Sequence, residues 1–403
     1  MPQEYDNLLP GLSWRPDNRG DGCFQRTDWK ALCQIASHNN GEIPCEPLQH
    51  YAVGGSSLAR LIRFQDGNCW VARIQLEEPT PDTSQKLRTE LDTMFLLIAQ
   101  TKAPVPRIFA FELDGKSTRS AFVLLEFLPG NNATDQARDY ERIDWGLIPL
   151  QNRLVFYRTM AAAQVQIASA RLPQIGSVIR NKDGSFSVGP IPGIGGPFKT
   201  AASFICAWAT KATFPLSEAE LRNEVPTEFV EEIIEGTSQF PSRLAGLARS
   251  GKHFTREGPF PIRHPDLFHS NVIVTEAYKV IGVIDWENSY AVPRELVDTP
   301  WFLSTVPRLM NRPENYNTIG RPLNKDESRK WADEEHYTGL VRDAELDADA
   351  DHYLSEILAN RNSRDMAAAF HLFSQGKIGL SHQTRQGYIP TFSPAIRSHD
   401  QNT

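Results

Sequence analysis

Between Ala59 and Leu128 the spacing of apolar residues changes twice, and that change confines the chain to few folds. Two β-rich runs, ARLIRF and CWVARIQL, flank Gln65-Asp66-Gly67-Asn68, whose Asp-Gly step tolerates the positive φ angles of a tight hairpin. From Thr83 to Gln100 the pattern turns helical. Leu87, Leu91, Met94, Phe95 and Ile98 fall at helical spacing, and Pro81-Asp82 ahead of them supplies a breaker and a cap. A second hairpin follows, RIFAFEL and SAFVLLEFL around Asp114-Gly115. The order strand, strand, helix, strand, strand predicts an antiparallel sheet with one packed helix.

Pro129-Gly130-Asn131-Asn132 punctuates the chain, and beyond it the long patterns are helical, notably Leu150 to Ala170 and Glu228 to Ala248. A hairpin, IGSVIRNKDGSFSVGPI, and a β-rich stretch from Pro261 to Asp285 interrupt them. The expected class is α+β and bilobal: a small antiparallel β-rich lobe over residues 51–128, then a larger, mainly α-helical lobe over 129–403. Residues 1–50, with a helical patch around Asp28 to Ile35, read as an extension lying on the first lobe, without chemistry of its own. No internal repeat is visible.

The formal charge of −7 comes with no long block of Lys or Arg, so neither nucleic acid nor an anionic membrane is expected as a partner. Cys23, Cys33, Cys45, Cys69 and Cys206 form no C-x-x-C pair, which fits neither a zinc site nor a disulfide framework and points to a reducing compartment. The N-terminus lacks a basic segment followed by an apolar stretch, and no window approaches about eighteen continuous apolar residues. A cytoplasmic protein is the expectation; no oligomeric state is written in the pattern.

The stretch PIRHPDLFHSNVIVTEAYKVIGVIDWENS reads as a polar loop, a strand (NVIVT), a short connection and a second strand (VIGVID). A hairpin centred near Tyr278 would set Asn271, at the start of one strand, beside Asp285, at the end of the other. An amide oxygen and a carboxylate are hard ligands suited to Mg²⁺, which takes one or two protein groups while phosphates and water complete its octahedron. Asp266, five residues before Asn271, adds a third oxygen group in the loop. Phosphoryl transfer asks for this combination: a positioned hydroxyl, metal on the phosphates and neutralised charge. Singly, each residue could equally decorate a turn or end a buried strand; the joint spacing carries the functional reading. A metallohydrolase cluster of His264, Asp266 and His269 lacks the further His or Cys ligands that such sites need.

His264-Pro265-Asp266-Leu267-Phe268-His269-Ser270-Asn271, followed by Ile284-Asp285-Trp286-Glu287, resembles the His-x-Asp-x-x-x-x-Asn loop and Ile-Asp-Trp-Glu motif of the aminoglycoside phosphotransferase-like (choline kinase-like) family. Gly176 to Pro190 looks like an insert common in its fungal members. The resemblance spans roughly Tyr51 to Trp301 and implies a protein-kinase-like fold and an enzyme passing the γ-phosphate of ATP, or of GTP, to a hydroxyl of a small molecule with Mg²⁺. It implies Asp266 as catalytic base or hydroxyl-orienting group, His264 as support of the loop, and Asn271 and Asp285 as metal ligands. Phe268 stands where the family often has His, and Val292-Pro293 where it usually has Asp-Pro; Asp298 corresponds loosely to a later Asp that braces the loop.

For the nucleotide, Gly54, Gly55, Ser56 and Ser57 precede the strand ARLIRF, where glycines let the backbone approach phosphate, although such a turn can also be an ordinary loop. Arg73, within WVARIQL, holds the place of the kinase strand cation, where the family often has Lys. Glu90 shares a helical face with Met94 and Leu97, so it points toward the sheet and can pair with Arg73. LLEFLPG resembles the family's hinge, with main-chain groups near Glu126, Phe127 and Leu128 for adenine.

The tract with Asp343, Glu345, Asp347, Asp349 and Asp351 reads as a solvated helix face, or else as carboxylates for a cationic acceptor. A protein kinase is disfavoured because Ile-Asp-Trp-Glu replaces Asp-Phe-Gly and no Ala-Pro-Glu segment closes an activation loop. Retention of Arg73, Glu90, Asp266, Asn271 and Asp285 argues against a silent nucleotide-binding scaffold. Aminoglycosides, choline-like alcohols, sugars and secondary metabolites all stand as acceptor classes.

Overall fold

The computed structural model describes residues 12–14, 17–136, 148–225, 227, 230–251, 254, 257–297, 299–303, 307–308 and 313–376. Contacts divide the chain into two units: residues up to 159 together with 269–288, and residues 160–268 together with those from 289 onward.

In the first unit, α1 (Asp21–Arg26) and α2 (Trp29–Asn39) precede β1 (Cys45–Val53), β2 (Ser57–Phe64), β3 (Cys69–Gln75), α3 (Pro81–Gln100), β4 (Ile108–Glu112) and β5 (Phe122–Glu126). The five strands form one sheet in the order β1-β2-β3-β5-β4, and every neighbouring pair is antiparallel. Register sets Leu58, Ile62, Trp70, Ala72 and Ile74 on one face, where they pack with Phe122 and Leu124 against Cys23, Leu32 and Ala36 of α1 and α2. On the other face, Arg73 meets Glu90 of α3. Helices therefore cover both faces of the sheet, α3 on one and α1 with α2 on the other.

The extension also reaches into the sheet, because β1 starts at Cys45 rather than after residue 50. Pro47 and a register shift between Pro47 and Tyr51 break its alternation, which an edge strand tolerates because one side has no ladder to complete. Arg60 ties the layers together: its guanidinium lies 4.6 Å from the Phe24 ring centre and 4.5 Å from that of Trp29, while Nε donates to the Leu48 carbonyl at 2.6 Å. The cap of α3 is Thr80, not Asp82; Thr80 and Thr83 bond reciprocally and Pro81 takes the first helical position, where its missing N–H costs nothing.

After β5 come β6 (Asn131–Asn132), α4 (Ala133–Gln136) and α5 (Leu150–Ser169), which carries the chain into the second unit. There β7 (Arg171–Leu172), the hairpin β8 (Ser177–Arg180) and β9 (Phe186–Gly189), α6 (Ala201–Ala209), α7 (Glu218–Glu224), α8 (Val230–Ser250) and β10 (Phe260–Arg263) follow. The hairpin β11 (Val272–Val274) and β12 (Val280–Val283) belongs to the first unit. β13 (Tyr290–Ala291), α9 (Lys325–Asp347), α10 (Tyr353–Ala359) and α11 (Arg361–Ser374) complete the second.

The division differs from a boundary at 128/129 for a physical reason. β6 pairs with β11 through Asn131 and Val274, and Gly130 lies so close that an added Cβ would sit 2.2 Å from the Val274 carbonyl oxygen. In the second unit, rings of α6, α8 and α11 interlock, with Trp208 4.7 Å from Phe370 and Phe240 5.1 Å from Phe373. The acidic tract is partly structural: the buried Glu345 accepts the N–H groups of Leu354 and Ser355 at 2.9 Å, and Asp351 holds Arg171 through bonds of 2.6 and 2.7 Å. Asp343, Asp347 and Asp349 are exposed. The five cysteines are unbridged, and among the described residues no helix is long and apolar enough to cross a membrane.

Glu327, in the first turn of α9, is buried with neither carboxylate oxygen hydrogen-bonded among the described residues. Burial pushes its pKa from 4.5 to about 7, with Glu334 raising it further and Lys330 and Arg361 opposing. The folded chain thus keeps a proton that the unfolded chain gives up; this contribution is whole below pH 4.5 and is lost as pH rises through about 7. Glu327→Gln should therefore raise the melting temperature at about pH 8 and change it little at about pH 4.5. Calorimetric melting at both values checks this, and a gap that shrinks with rising pH would contradict it.

Candidate active site

The hairpin β11–β12 pairs Val272 with Val283, and the Ile284 N–H donates to the Asn271 carbonyl at 3.0 Å, so Asp285 lies one step beyond that of Asn271's partner. Its turn is at Tyr278, as the sequence expects, with φ of 59° and an N–H donated to the Thr275 carbonyl at 2.8 Å. Asp285 has φ of 67°, a left-handed conformation costing a residue with a Cβ about 1–3 kcal/mol. Trp286 offsets that cost: its fully buried ring donates Nε1–H to the Val283 carbonyl at 3.0 Å and fixes the turn.

Asn271 is itself buried, in the short turn His269–Asn271. Burial pushes the neighbouring His269 imidazole down to about 4, so it is neutral at physiological pH, with its ring 5.9 Å from Phe156. No group of three or more His, Cys, Asp or Glu among the described residues is placed to hold a metal. Asn271 and Asp285 offer two hard oxygen donors, the number that Mg²⁺ takes from protein when phosphates supply the rest.

Arg73 and Glu90 form a direct ion pair, with Glu90 only 2% exposed. Burial alone would lower the Arg73 pKa, but the Glu90 carboxylate, joined by the fields of Asp285 and Glu287, more than offsets it and holds the value above the ordinary one. Arg73 Nε and Glu90 Oε1 are buried with no hydrogen-bond partner among the described residues.

Gly54, Gly55, Ser56 and Ser57 connect β1 to β2; the Gly54 N–H donates to the Ser57 carbonyl at 2.8 Å, and the Ser56 carbonyl accepts from Leu76 at 3.0 Å. Neither glycine has a positive φ; a Cβ at Gly55 would meet nothing within 4 Å, and one at Gly54 only the Ser57 carbonyl oxygen at 3.6 Å. Neither the space around these glycines nor their backbone conformation demands glycine for folding. At the hinge, the Glu126 N–H is committed to the Arg107 carbonyl at 2.9 Å and its carboxylate to the Arg107 side chain. The Leu128 carbonyl accepts from Gly130 at 2.8 Å. The Phe127 main chain and the Leu128 N–H carry no hydrogen bond among the described residues.

His264 and Asp266 lie in the second unit. The buried His264 accepts the Asp266 N–H on Nδ1 at 3.2 Å, and the Asp266 carbonyl accepts from Phe268 at 2.9 Å, which curls the loop around a half-buried Asp266. Asp298 lies outside the described residues. Sequence reasoning missed the Arg107 grip on Glu126, for which only strand pairing could have been a signal, and the part played by Trp286 inside its own motif.

The model of the phosphotransferase enzyme family matches residues 51–294, more than half of the chain. The chain belongs to that family. Among curated relatives, subtelomeric hrmA-associated cluster proteins of two Aspergillus fumigatus strains are each 24% identical over 312 residues, 62% of this chain. The chain spans 59% of the length of these relatives. Two solved structures are also similar: a candidate aminoglycoside phosphotransferase of Ralstonia eutropha JMP134 is 15% identical at a TM-score of 0.45, covering 87% of this chain and 97% of that one. A macrolide 2'-phosphotransferase of Brachybacterium faecium is 14% identical at 0.40, covering 87% and 94%. Neither likeness bears on the assignment, which rests on the family match; with the antiparallel sheet and the helical second unit, the α+β, protein-kinase-like class stands.

Within this phosphotransferase family member, the buried pair makes a stability prediction. Arg73→Ala and Glu90→Gln should each destabilise the ligand-free chain by about 3 kcal/mol, since each leaves one buried charge without its partner. The double variant should lose less than the sum of the two. Denaturant unfolding of the four proteins checks this, and strict additivity would contradict the pairing as a stabilising unit.

Proposed function

We propose that the chain is a phosphotransferase that moves the γ-phosphoryl group of MgATP, or of MgGTP, to a hydroxyl of a small molecule. The observation carrying this reading is the buried Arg73–Glu90 ion pair, whose guanidinium feels the carboxylates of Asp285 and Glu287. In this reading the Phe127 and Leu128 main chain takes the adenine edge, the open backbone of Gly54 to Ser57 approaches the phosphates, and Arg73 holds them with its charge. Asn271 and Asp285 would hold Mg²⁺, which when bound neutralises charge on the phosphates.

Asp266 accepts the proton of the acceptor hydroxyl, or orients that hydroxyl for attack, and His264 keeps its backbone in place. Measuring ADP release by the full chain against a panel of hydroxylated metabolites tests the proposal. Release that responds to one alcohol class supports it; release to none of them while casein or another protein mixture becomes phosphorylated would replace it with a protein kinase.

The two carboxylates should fail differently. Asp266→Asn should leave MgATP affinity within a few fold and cut turnover by roughly two to four powers of ten. Asp285→Asn should weaken magnesium-dependent nucleotide binding as well as turnover, since a neutral amide is a poorer ligand for a hard dication. Titration calorimetry beside the ADP assay separates them; normal turnover by Asp266→Asn would remove its catalytic part.

A further inference from the structure

Within the second unit, the loop that carries Asp266 is held from both sides by one side chain far along the chain. Arg263, buried at the end of β10, donates from Nη2 to Nδ1 of His371 in α11 at 3.0 Å. An arginine can only donate, so His371 Nδ1 is the acceptor. The same imidazole packs on the Trp301 ring, with ring centres 3.7 Å apart, and the Trp301 main-chain N–H donates to the Leu267 carbonyl at 3.0 Å. His371 and Trp301 are 2% and 4% exposed, and both lie beyond the residues 51–294 that the family model matches. Arg263 and Leu267 bracket Asp266, whose own N–H is spent on His264. Packing alone would not call for an arginine and a histidine here, because an apolar pair would fill the space without burying a charge.

We propose that His371 is a positioning residue for Asp266: through Arg263 on one side and Trp301 on the other it fixes the loop in the conformation that presents the carboxylate to the acceptor hydroxyl. The inference rests on the reading of Asp266 given above. A loop displaced by about 1 Å can cost about 10²-fold in rate without touching substrate affinity.

Three variants of the full chain separate the parts of the brace: His371→Ala removes it, His371→Asn keeps an acceptor at the place of Nδ1, and His371→Phe keeps the ring alone. Turnover by ADP release, MgATP affinity by calorimetry, and hydrogen exchange of peptides covering 263–268 and 299–303 are measured well below each melting temperature. Turnover should fall roughly tenfold to hundredfold in the Ala and Phe variants at unchanged MgATP affinity, with faster exchange of both peptides. The Asn variant should recover most of the turnover and of the protection. Unchanged exchange and turnover in the Ala or Phe variant overturns the proposal, and so does a Phe variant that behaves as wild type while Asn does not. Should the Ala variant fail to fold, the Asn and Phe variants decide alone. If the wild type neither binds nor consumes MgATP, the proposed function falls, and the exchange data still show whether His371 holds the loop.

Discussion

A guanidinium in the middle strand of a sheet must be answered by an opposite charge, and the answer to Arg73 comes from α3. Leaving either charge alone would cost several kcal/mol, so strand and helix are fixed to each other more firmly than apolar contact would fix them. The sheet's two faces are thus held by different physics. One closes on α1 and α2 through an apolar cluster, where water is excluded and geometry is forgiving. The other closes on a directional ion pair that leaves Arg73 Nε and Glu90 Oε1 unsatisfied.

The second constraint is the close approach of neighbouring chain at Gly130, where it is backbone, and at Gly282, where it is a side chain. A Cβ on Gly130 would strike the Val274 carbonyl, and one on Gly282 would lie 2.1 Å from Leu128 Cδ1. These contacts seat the β11–β12 hairpin against the segment that follows β5, within the same unit as Arg73. The left-handed Asp285 then follows from the buried Trp286, since the ring cannot be buried and bonded to Val283 if the chain continues as a strand. Electrostatics carries the connection back to the sheet, because the Arg73 guanidinium feels both Asp285 and Glu287.

Much of this was legible because local pattern and tertiary role coincide. Alternation over β2 and β3, the apolar runs of β4 and β5 and the apolar stripe of α3 state their own character, and Glu90 pairs with Arg73 because its place on the stripe turns it inward. The hairpin at Tyr278 was legible from its two short apolar runs. β1 was hidden by Pro47 and its bulge, and the buried side of α9 by the charges interleaved with Trp331, Tyr337, Leu340 and Val341. The Glu126 N–H was spent by Arg107, a contact set by strand pairing rather than by any motif. The grip of His371 on Arg263 joins residues 108 apart, a separation that no local window reaches.

The account's central claim is that Arg73, Asn271 and Asp285 serve a nucleotide and its metal. The most direct measurement is calorimetric titration of ATP into the folded full chain, once with Mg²⁺ and once with a chelator. The account predicts saturable binding of one nucleotide per chain that is markedly tighter with Mg²⁺, because metal and phosphates complete each other's coordination. No binding under either condition, or an affinity indifferent to Mg²⁺, would contradict it.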